Sequence, residues 1–297
     1  MKRELPKDIL VERSILKTYR RDIWYNFVAA IKQYQLIEPN DNIMVCISGG
    51  KDSILMAKCF QLLHRYSDFN FEVRYVVMDP GYSKGNRQLI ESNCRLLNIP
   101  IEIFDTPIFD STLKVDDNPC YLCARMRRGY LYRYAKKIGC NKIALGHHQD
   151  DVMETFMMNL LYNGSVKAMM PKLYSDNVEG LELIRPLYMV RERAIINWMN
   201  HNELQFLRCA CKLTQAIARG DDELTSKRYE TKQLIKELAK IDKNVEKNIF
   251  QAASNVVLDK IIEYKSNNKV YNFLDNYKDN RPTYYHDSKE EYDIQNE

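Results

Sequence analysis

The sequence lacks the features that would place it in a membrane or a secretory pathway. No apolar run approaches the roughly 20 residues needed to cross a bilayer. Residues 1–7 lack the apolar segment of a signal peptide, and we therefore expect a cytoplasmic protein. The net charge of +4 is small for 297 residues, so any surface that binds nucleic acid has to be a local basic patch. The sequence also has no internal repeat.

A disulfide framework is also absent, although the chain has eight cysteines. Their spacing is uneven, and in a reducing compartment such cysteines stay as free thiols. Four of them lie singly in apolar patterns and are expected to be small buried residues, namely Cys46, Cys59, Cys94 and Cys140. The other four form two close pairs, Cys120 with Cys123 and Cys209 with Cys211, and these need a separate explanation.

Strand and helix patterns alternate through the first half of the chain. Strands are predicted at 43–46, 71–78, 101–104 and 142–145, and helices at 53–66, 84–97 and 124–138. Such alternation predicts an α/β fold with a doubly wound, mostly parallel sheet. Ligands of such sheets bind at the carboxyl ends of the strands. We therefore expect Asp79 and Gly146-His147-His148, which follow two of the strands, to face the same crevice as the Ser48-Gly49-Gly50 loop after the first strand.

The remaining segments suggest appendages to this sheet. Residues 8–36 read as one amphipathic helix with a basic face, and 1–40 are predicted to be an N-terminal helical segment. The sheet domain is placed at 41–215 and a helical extension, with helices at 223–240 and 243–264, at 216–265. Residues 266–297 are rich in Asn, Asp, Lys and Tyr, and we expect a loosely ordered tail.

The segment Ser48-Gly49-Gly50-Lys51-Asp52-Ser53 joins the first predicted strand to a helix. Paired glycines allow the backbone N–H groups to approach a ligand, and the helix N-terminus favours an anion. The longer G-x-x-x-x-G-K-[ST] spacing of a Walker loop is absent. The alternative is an ordinary Gly-Gly turn, capped by serine, that binds no ligand. The preceding strand and following helix favour a phosphate or pyrophosphate cradle, and the order S-G-G-x-D-S resembles the pyrophosphate loop of the PP-loop ATP pyrophosphatases.

A second group of polar residues begins at Gly146 and includes His147 and His148. Asp150, Asp151 and Glu154 place three carboxylates at the start of the next predicted helix, which the helix dipole alone would favour. Their position at the same sheet edge as the phosphate loop favours a function. We expect Asp151 to help Asp52 hold Mg²⁺, because oxygen ligands suit that ion. Either histidine could cap a strand end or polarise a substrate oxygen, and neither is expected to bind metal.

The Cys120-x-x-Cys123 pair stands at a loop-to-helix junction. Such a pair is typical of a metal site or a redox dithiol. A thioredoxin-like dithiol is disfavoured because such a motif belongs to a small fold of its own and not between the strands of a nucleotide-binding sheet. A chance pair is disfavoured because Cys209 and Cys211 supply further thiols downstream. Four thiols would satisfy a tetrahedral zinc site, whereas three would leave one iron of a [4Fe–4S] cluster open. Spacing alone leaves both possibilities open.

Taken together, these motifs resemble the TtcA family, the iron–sulfur tRNA 2-thiocytidine synthetases of the PP-loop superfamily. The similarity runs from about residue 10 to about residue 215. It rests on the phosphate loop, the cysteine pair with the following Arg125-Met126-Arg127-Arg128-Gly129, and Gly146-His147-His148-x-Asp150-Asp151. It also includes Met158-Asn159, Pro171-Lys172-Leu173, Ile184-Arg185-Pro186-Leu187 and Arg191-Glu192. From Lys212 to Arg219 the chain departs from the family pattern.

The resemblance implies ATP-dependent, iron–sulfur-dependent thiolation of a tRNA cytidine. It implies ATP, Mg²⁺ and a [4Fe–4S] cluster as cofactors, with Asp52 and Asp151 as the catalytic and magnesium-binding residues. Cys120, Cys123 and Cys211 would bind the cluster, with Cys209 as the alternative third ligand. The nucleotide would contact Ser48, Gly49, Gly50, Lys51, Asp52, Ser53, Asp79 and Gly146. Implied partners are tRNA and a sulfur donor such as a cysteine desulfurase, and a homodimer is compatible with the resemblance.

Two other functions fit parts of the sequence. One is a PP-loop ligase or sulfurtransferase with another RNA or small molecule as substrate. The other is a zinc-stabilised RNA-binding protein, which would leave the phosphate loop and the Asp150-Asp151 pair without a task. The basic residues Arg125, Arg127, Arg128, Lys136 and Lys137 are compatible with a solvated helix face or with contacts to RNA phosphates.

Overall fold

A computed structural model describes residues 5–112, 119–176, 178–207 and 227–277. The strands of the main sheet are β1 Asn42–Ile47, β2 Glu72–Asp79, β3 Ile101–Asp105, β4 Lys142–Ala144, β5 Lys172–Tyr174 and β6 Glu182–Ile184. The first helices are α1 Lys7–Leu16, α2 Asn26–Gln33, α3 Lys51–Tyr66, α4 Lys84–Leu96 and α5 Ile108–Thr112. They are followed by α6 Pro119–Lys137, α7 Gln149–Asn163, α8 Glu192–His201, α9 Lys227–Ile241 and α10 Val245–Ala252.

The six strands of the main sheet are ordered β3-β2-β1-β4-β6-β5. All neighbours are parallel except β5, which pairs antiparallel with β6 at one edge. The predicted mostly parallel α/β fold is therefore confirmed. The chain builds outward from β1 through β2 to β3 and then returns to β4 on the other side of β1. This reversal opens a crevice at the carboxyl ends of β1 and β4, where ligands of such sheets bind.

Helices cover both faces of the sheet, which explains why β1 is apolar at consecutive positions. Ile43, Val45 and Ile47 point into a large core formed with α1, α2, α3, α4 and α8. Met44 points the other way, into a smaller core against α6 that includes Ala135. The alternation follows from the two-residue period of a strand.

The predicted single helix over 8–36 is wrong. The structure has α1, then a six-residue π-helical segment at Arg20–Tyr25, and then α2. Tyr19 stands at the break, where its N–H bonds to the carbonyl of Ser14 at 2.8 Å. Its hydroxyl donates to Asn197 O in α8 at 2.9 Å. This contact with a helix distant in sequence favours the break over the regular helix that local periodicity indicated.

The second C-terminal helix is much shorter than predicted. It ends at Ala252 instead of 264, and β7 Glu263–Ser266 then pairs antiparallel with β8 Lys269–Asn272. Asn267 and Asn268 turn the hairpin with φ angles of +50° and +61°, which asparagine tolerates. The expectation of loose order is thus wrong for residues 266–277. Residues 278–297 of the predicted tail lie outside the described residues.

The chain forms two compact units that divide between Phe250 and Gln251. Most of the predicted N-terminal segment, the sheet and α9 belong to the first unit, and the β7–β8 hairpin belongs to the second. Among the helices that the structure describes, none combines the length and the apolar character required to span a bilayer.

Two lysines of the first unit are buried in ion pairs that the sequence patterns did not reveal. The Lys142 side chain is 4% exposed and lies 2.9 Å from Asp41 and 3.1 Å from Glu182. The Lys58 side chain is 1% exposed and bonds to Glu12 at 2.8 Å, which fastens α3 to α1. Glu12 has a second partner in Arg65, at 2.6 Å. Burial lowers the pKa of Lys58, and Glu12 opposes that shift.

We predict unequal costs for removing the two members of the Lys58–Glu12 pair. Glu12→Ala leaves the buried ammonium of Lys58 without a carboxylate and should lower the free energy of unfolding by about 3 kcal/mol. Lys58→Met should lower it by less, about 1–2 kcal/mol, because Glu12 keeps Arg65 as partner and the methionine fills the space, while Leu97 O and Gln61 Oε1 lose a donor. Urea unfolding of both variants is the measurement. Equal losses would contradict this account.

Candidate active site

The phosphate loop has the strand–turn–helix geometry that its sequence predicts. Gly49 adopts φ +82°, and a Cβ there would lie 2.5 Å from the Ile90 side chain, so both conformation and space require glycine. Ser53 holds the loop closed: its Oγ accepts from Ser48 N at 3.1 Å and donates to Gly50 O at 2.9 Å. Lys51 begins α3. The first amide groups of this helix therefore stand at the carboxyl edge of the sheet, where an anion would bind.

The segment after β4 packs directly on the phosphate loop. A Cβ at Gly146 would lie 3.2 Å from Ser53 N and 3.4 Å from the carbonyl carbon of Asp52. A side chain at this position would therefore push the two segments apart. The prediction that these two motifs meet at one crevice is confirmed by this contact.

Asp52 stands in the first turn of α3, between a cation and a histidine. Its Oδ2 lies 3.2 Å from Lys51 Nζ. Its Oδ1 is buried, has no hydrogen-bond partner among the described residues, and lies 3.9 Å from His148 Nε2. Burial raises the pKa of Asp52, against the opposing effects of Lys51 and His148. An unpartnered buried carboxylate oxygen is costly, and a bound cation would remove that cost.

Asp151 and His148 form a capping box at the start of α7. His148 N donates to Asp151 Oδ2 at 2.9 Å, and Asp151 N donates to His148 Nδ1 at 3.3 Å. Because Nδ1 accepts, the hydrogen-bond pattern assigns the proton of the neutral ring to Nε2, which faces Asp52. His148 thus caps a helix and also links the two carboxylates predicted to bind magnesium.

His147 is buried beside this box and has a different character. Its Nδ1 has no hydrogen-bond partner among the described residues. Burial lowers its pKa to about 4. The imidazole is therefore neutral near pH 7, which suits a hydrogen-bonding role better than a charged one.

Two further carboxylates make structural contacts: Asp79, which was predicted to contact the nucleotide, and Asp150, which precedes Asp151. Asp79 Oδ1 accepts from Gly81 N at 2.8 Å and Tyr82 N at 2.7 Å, and its Oδ2 pairs with Arg87 at 3.0 Å. Asp79 therefore shapes the loop after β2, and a contact with nucleotide stays a prediction. Asp150 pairs with Arg191 at 3.0 Å and accepts from the N–H of Glu192, which docks α8 onto the start of α7.

Sequence reasoning missed a set of ion pairs that surrounds Asp52 and Asp151, the two carboxylates predicted to bind magnesium. Lys51 Nζ lies 3.1 Å from Glu192, and Glu192 also pairs with Lys232 of α9. Arg228, one turn earlier in α9, contacts Asp151 at 3.0 Å and Glu154 at 2.8 Å. The one available signal was the four-residue spacing of these two α9 cations, which places both on one helix face.

The cysteine motif is described only in part. Cys123 is half-buried in α6 and packs on the apolar cluster of Met78, Ile108 and Phe109. Cys120 lies in the first turn of α6, but its side chain is outside the described part, as are Cys209 and Cys211. Within the described residues, no three His, Cys, Asp or Glu side chains are arranged to hold a metal. The cluster ligands therefore stay a prediction.

The basic residues of the first helical segment and of α6, which are compatible with a solvated face or with contacts to RNA phosphates, are mostly exposed. On the α1–α2 segment they are Arg13, Lys17, Arg20 and Arg21, and on α6 they are Arg125, Arg128, Lys136 and Lys137. Arg127 differs, because it is half-buried with its guanidinium 5.6 Å from the centre of the Phe109 ring. It belongs to the packing of α6 and not to an exposed basic patch.

Comparison with known proteins agrees with this geometry. The ATP_bind_3 family model, described as a PP-loop domain, matches residues 23–220. The chain is 39% identical over 186 residues to a tRNA-cytidine(32) 2-sulfurtransferase of Neisseria meningitidis, covering 61% of this chain and 57% of that relative's length. It is 35% identical over 239 residues to the enzyme of that name from Coxiella burnetii, covering 80% of this chain and 90% of the relative.

A solved structure supports the fold. The chain matches the U34-tRNA thiolase NcsA from Methanococcus maripaludis, described with its [4Fe–4S] cluster, with a TM-score of 0.61. The two are 21% identical, and the match covers 81% of this chain and 80% of that one. On the family model and the Coxiella relative together, the chain belongs to the PP-loop family and, within it, to the TtcA family that its motifs resemble.

Proposed function

We propose that the protein is an ATP-dependent tRNA sulfurtransferase that thiolates a cytidine at C2. The observation that carries the proposal is the contact of Gly146 with the phosphate loop, which brings Asp52 and the Asp151 capping box to one crevice. The names of the Neisseria and Coxiella relatives support the substrate. The chain spans little more than half the length of the Neisseria relatives, so the substrate rests on the longer Coxiella match.

In this proposal the phosphate loop holds ATP and two carboxylates hold Mg²⁺. The amide groups at the start of α3 would bind phosphate oxygens, and Lys51 would add a positive charge. Asp52 Oδ1 is buried and unpartnered among the described residues. Mg²⁺ is bound in proteins by one or two carboxylates together with phosphate oxygens, so Asp52 and Asp151 fit this ion.

The chemistry has two steps. The O2 of the cytidine attacks the α-phosphorus of ATP, and pyrophosphate leaves. Sulfide from a donor then adds at C2, the C2–O bond breaks, and AMP leaves with the original oxygen. Neither step changes the net oxidation state. A [4Fe–4S] cluster on Cys120, Cys123 and Cys211, with Cys209 as the alternative, would supply an iron that binds sulfide when the cluster is present.

The proposed partners follow from this chemistry. A tRNA loop has to present its target base unstacked, and the exposed basic residues of the α1–α2 segment and α6 would contact its phosphates. A sulfur donor such as a cysteine desulfurase would supply the sulfur as a persulfide, and two electrons from a thiol reductant would release that sulfur as sulfide. The proposal includes a homodimer, which is supported by the family resemblance alone.

Mass spectrometry of tRNA nucleosides tests the proposed function. Cells without the protein should lose 2-thiocytidine, and the wild-type gene should restore it. Anaerobic purification should yield a brown protein that contains iron. Unchanged 2-thiocytidine, or a colourless protein that contains zinc, would favour another PP-loop enzyme or the zinc-stabilised RNA-binding alternative.

We predict that Asp52→Asn lowers pyrophosphate release from ATP, with substrate tRNA present, by about 100-fold, because it removes a charge from the metal–phosphate site. The free energy of unfolding should not fall, since burial raises the pKa of Asp52 and so disfavours its ionised form in the folded state. The control is Asp105→Asn at the end of β3, which removes a 73%-exposed carboxylate from the same sheet edge. Pyrophosphate release near the wild-type rate in Asp52→Asn would remove Asp52 from the site.

We predict that the cysteine variants separate the cluster from the nucleotide site. Cys120→Ala, Cys123→Ala and Cys211→Ala should lose iron and tRNA thiolation but keep ATP binding, because the thiols and the phosphate loop come from different segments. Cys209→Ala should lose less iron, and Cys46→Ala on β1 is the control thiol. Iron analysis, visible absorbance and nucleotide binding are the measurements. Full iron content in Cys123→Ala would contradict its assignment as a cluster ligand. Loss of iron in Cys209→Ala with full iron in Cys211→Ala would make Cys209 the third ligand in place of Cys211.

A further inference from the structure

Helix α9 contributes two cations to the proposed metal site, although the matched family model ends at residue 220, before α9 begins. An alternating series of charges connects Asp52 with Asp151 through this helix. In order, it consists of Asp52, Lys51, Glu192, Lys232, Glu154, Arg228 and Asp151. The two carboxylates proposed to hold Mg²⁺ are thus the two ends of one series of ion pairs.

Arg228 bridges two carboxylates on successive turns of α7. Its Nη2 lies 3.0 Å from Asp151 Oδ1 and its Nε lies 2.8 Å from Glu154 Oε2. The Glu154 side chain is only 6% exposed, whereas that of Arg228 is 43% exposed. Arg228 is therefore anchored by a buried carboxylate at one nitrogen, while the other nitrogen holds an oxygen of the metal site.

The two metal-site carboxylates differ in their availability. Asp151 Oδ2 accepts from His148 N, and Oδ1 faces Arg228. Asp52 Oδ1 has no hydrogen-bond partner among the described residues. Asp52 can therefore accept a cation at once, whereas at Asp151 Oδ1 a cation would compete with the guanidinium for the same oxygen. A magnesium ion at its usual distance of about 2.1 Å from that oxygen would also repel the nearby guanidinium.

We propose that Arg228 is a positioning residue that holds Asp151 Oδ1 in the metal-free protein and yields it to Mg²⁺. The inference rests on the proposed function, because it takes Asp52 and Asp151 as the magnesium ligands. Arg228 keeps Glu154 as its anchor when the exchange occurs. Lys232 secures the same helix through Glu192, so α9 remains docked while the Arg228 Nη2 contact changes.

Competition distinguishes this role from a simple attachment of α9 to α7. If Arg228 competes with Mg²⁺, removing its charge lowers the magnesium concentration needed for nucleotide binding. If it only attaches the helix, its removal lowers stability and leaves that concentration unchanged. If it supports the nucleotide directly, its removal weakens binding even at saturating magnesium.

The test is a Mg²⁺ titration of the binding of fluorescent α,β-methylene ATP, which cannot be cleaved between those phosphates, to the full-length protein without tRNA. Arg228→Gln should lower the Mg²⁺ concentration for half-maximal binding by about three- to fivefold, the range for losing one partly exposed ion pair. Arg228→Lys should lower it less, because one ammonium keeps Glu154 paired but cannot supply two separate nitrogens. Lys240→Gln is the control, since it removes a charge from α9 that pairs with Glu237, away from the site.

An unchanged or higher magnesium requirement in Arg228→Gln would overturn the inference. If that variant does not fold, Arg228→Lys is the test, because lysine keeps a positive charge beside the buried Glu154. An unchanged magnesium requirement in Arg228→Lys would then overturn the inference. A wild-type protein that does not bind the analogue with Mg²⁺ would refute the inference together with the proposed function. Wild-type binding with an unchanged requirement in the variants would refute the inference alone.

Discussion

The site depends on one close approach, that of the segment after β4 to the phosphate loop after β1. Gly146 has no side chain, and a Cβ at this position would lie only 3.2 Å from Ser53 N, which is closer than most side chains tolerate. This approach can occur because β1 and β4 are hydrogen-bonded neighbours at the point where the chain reverses direction across the sheet. Asp52 and Asp151 each follow one of these strands in the first turn of a helix. Their proximity is therefore a consequence of strand order and of two glycines with little room around them.

The electrostatics of the crevice follow from this approach. The series of ion pairs from Asp52 to Asp151 contains four carboxylates and three cations. Its excess negative charge suits a divalent cation better than a free nucleotide anion, so metal and phosphate are expected to bind together. The neutral His147, whose pKa burial lowers to about 4, adds no positive charge near pH 7. The cations of this series are Lys51 of α3 and Arg228 and Lys232 of α9, and each of them is paired with a carboxylate.

The sequence predicted the features that local patterns determine. The strand, glycine turn and helix around Ser48–Ser53, the acidic start of α7 and the parallel sheet each follow from a run of residues with one period or one turn signal. Arg228 and Lys232 were missed because their partners lie on α7 and α8, dozens of residues earlier in the chain. The break at Tyr19 was missed for the same reason, since its hydroxyl bonds to Asn197. The β7–β8 hairpin, by contrast, had a local signal in Asn267-Asn268 that the polar composition of the tail concealed.

Lys51 connects two carboxylates whose surroundings shift their pKa values in opposite directions. Burial raises the pKa of Asp52, whereas for Glu192 the effect of burial is outweighed by Lys232 and Lys51, which lower its pKa to about 2. Glu192 therefore stays ionised and keeps Lys51 and Lys232 in place, while Asp52 has the most to gain from a further positive charge. This asymmetry assigns the two carboxylates different tasks. Glu192 maintains the structure of the site in the free protein. In the proposed function, Asp52 would supply the oxygen whose burial is compensated when Mg²⁺ binds with ATP.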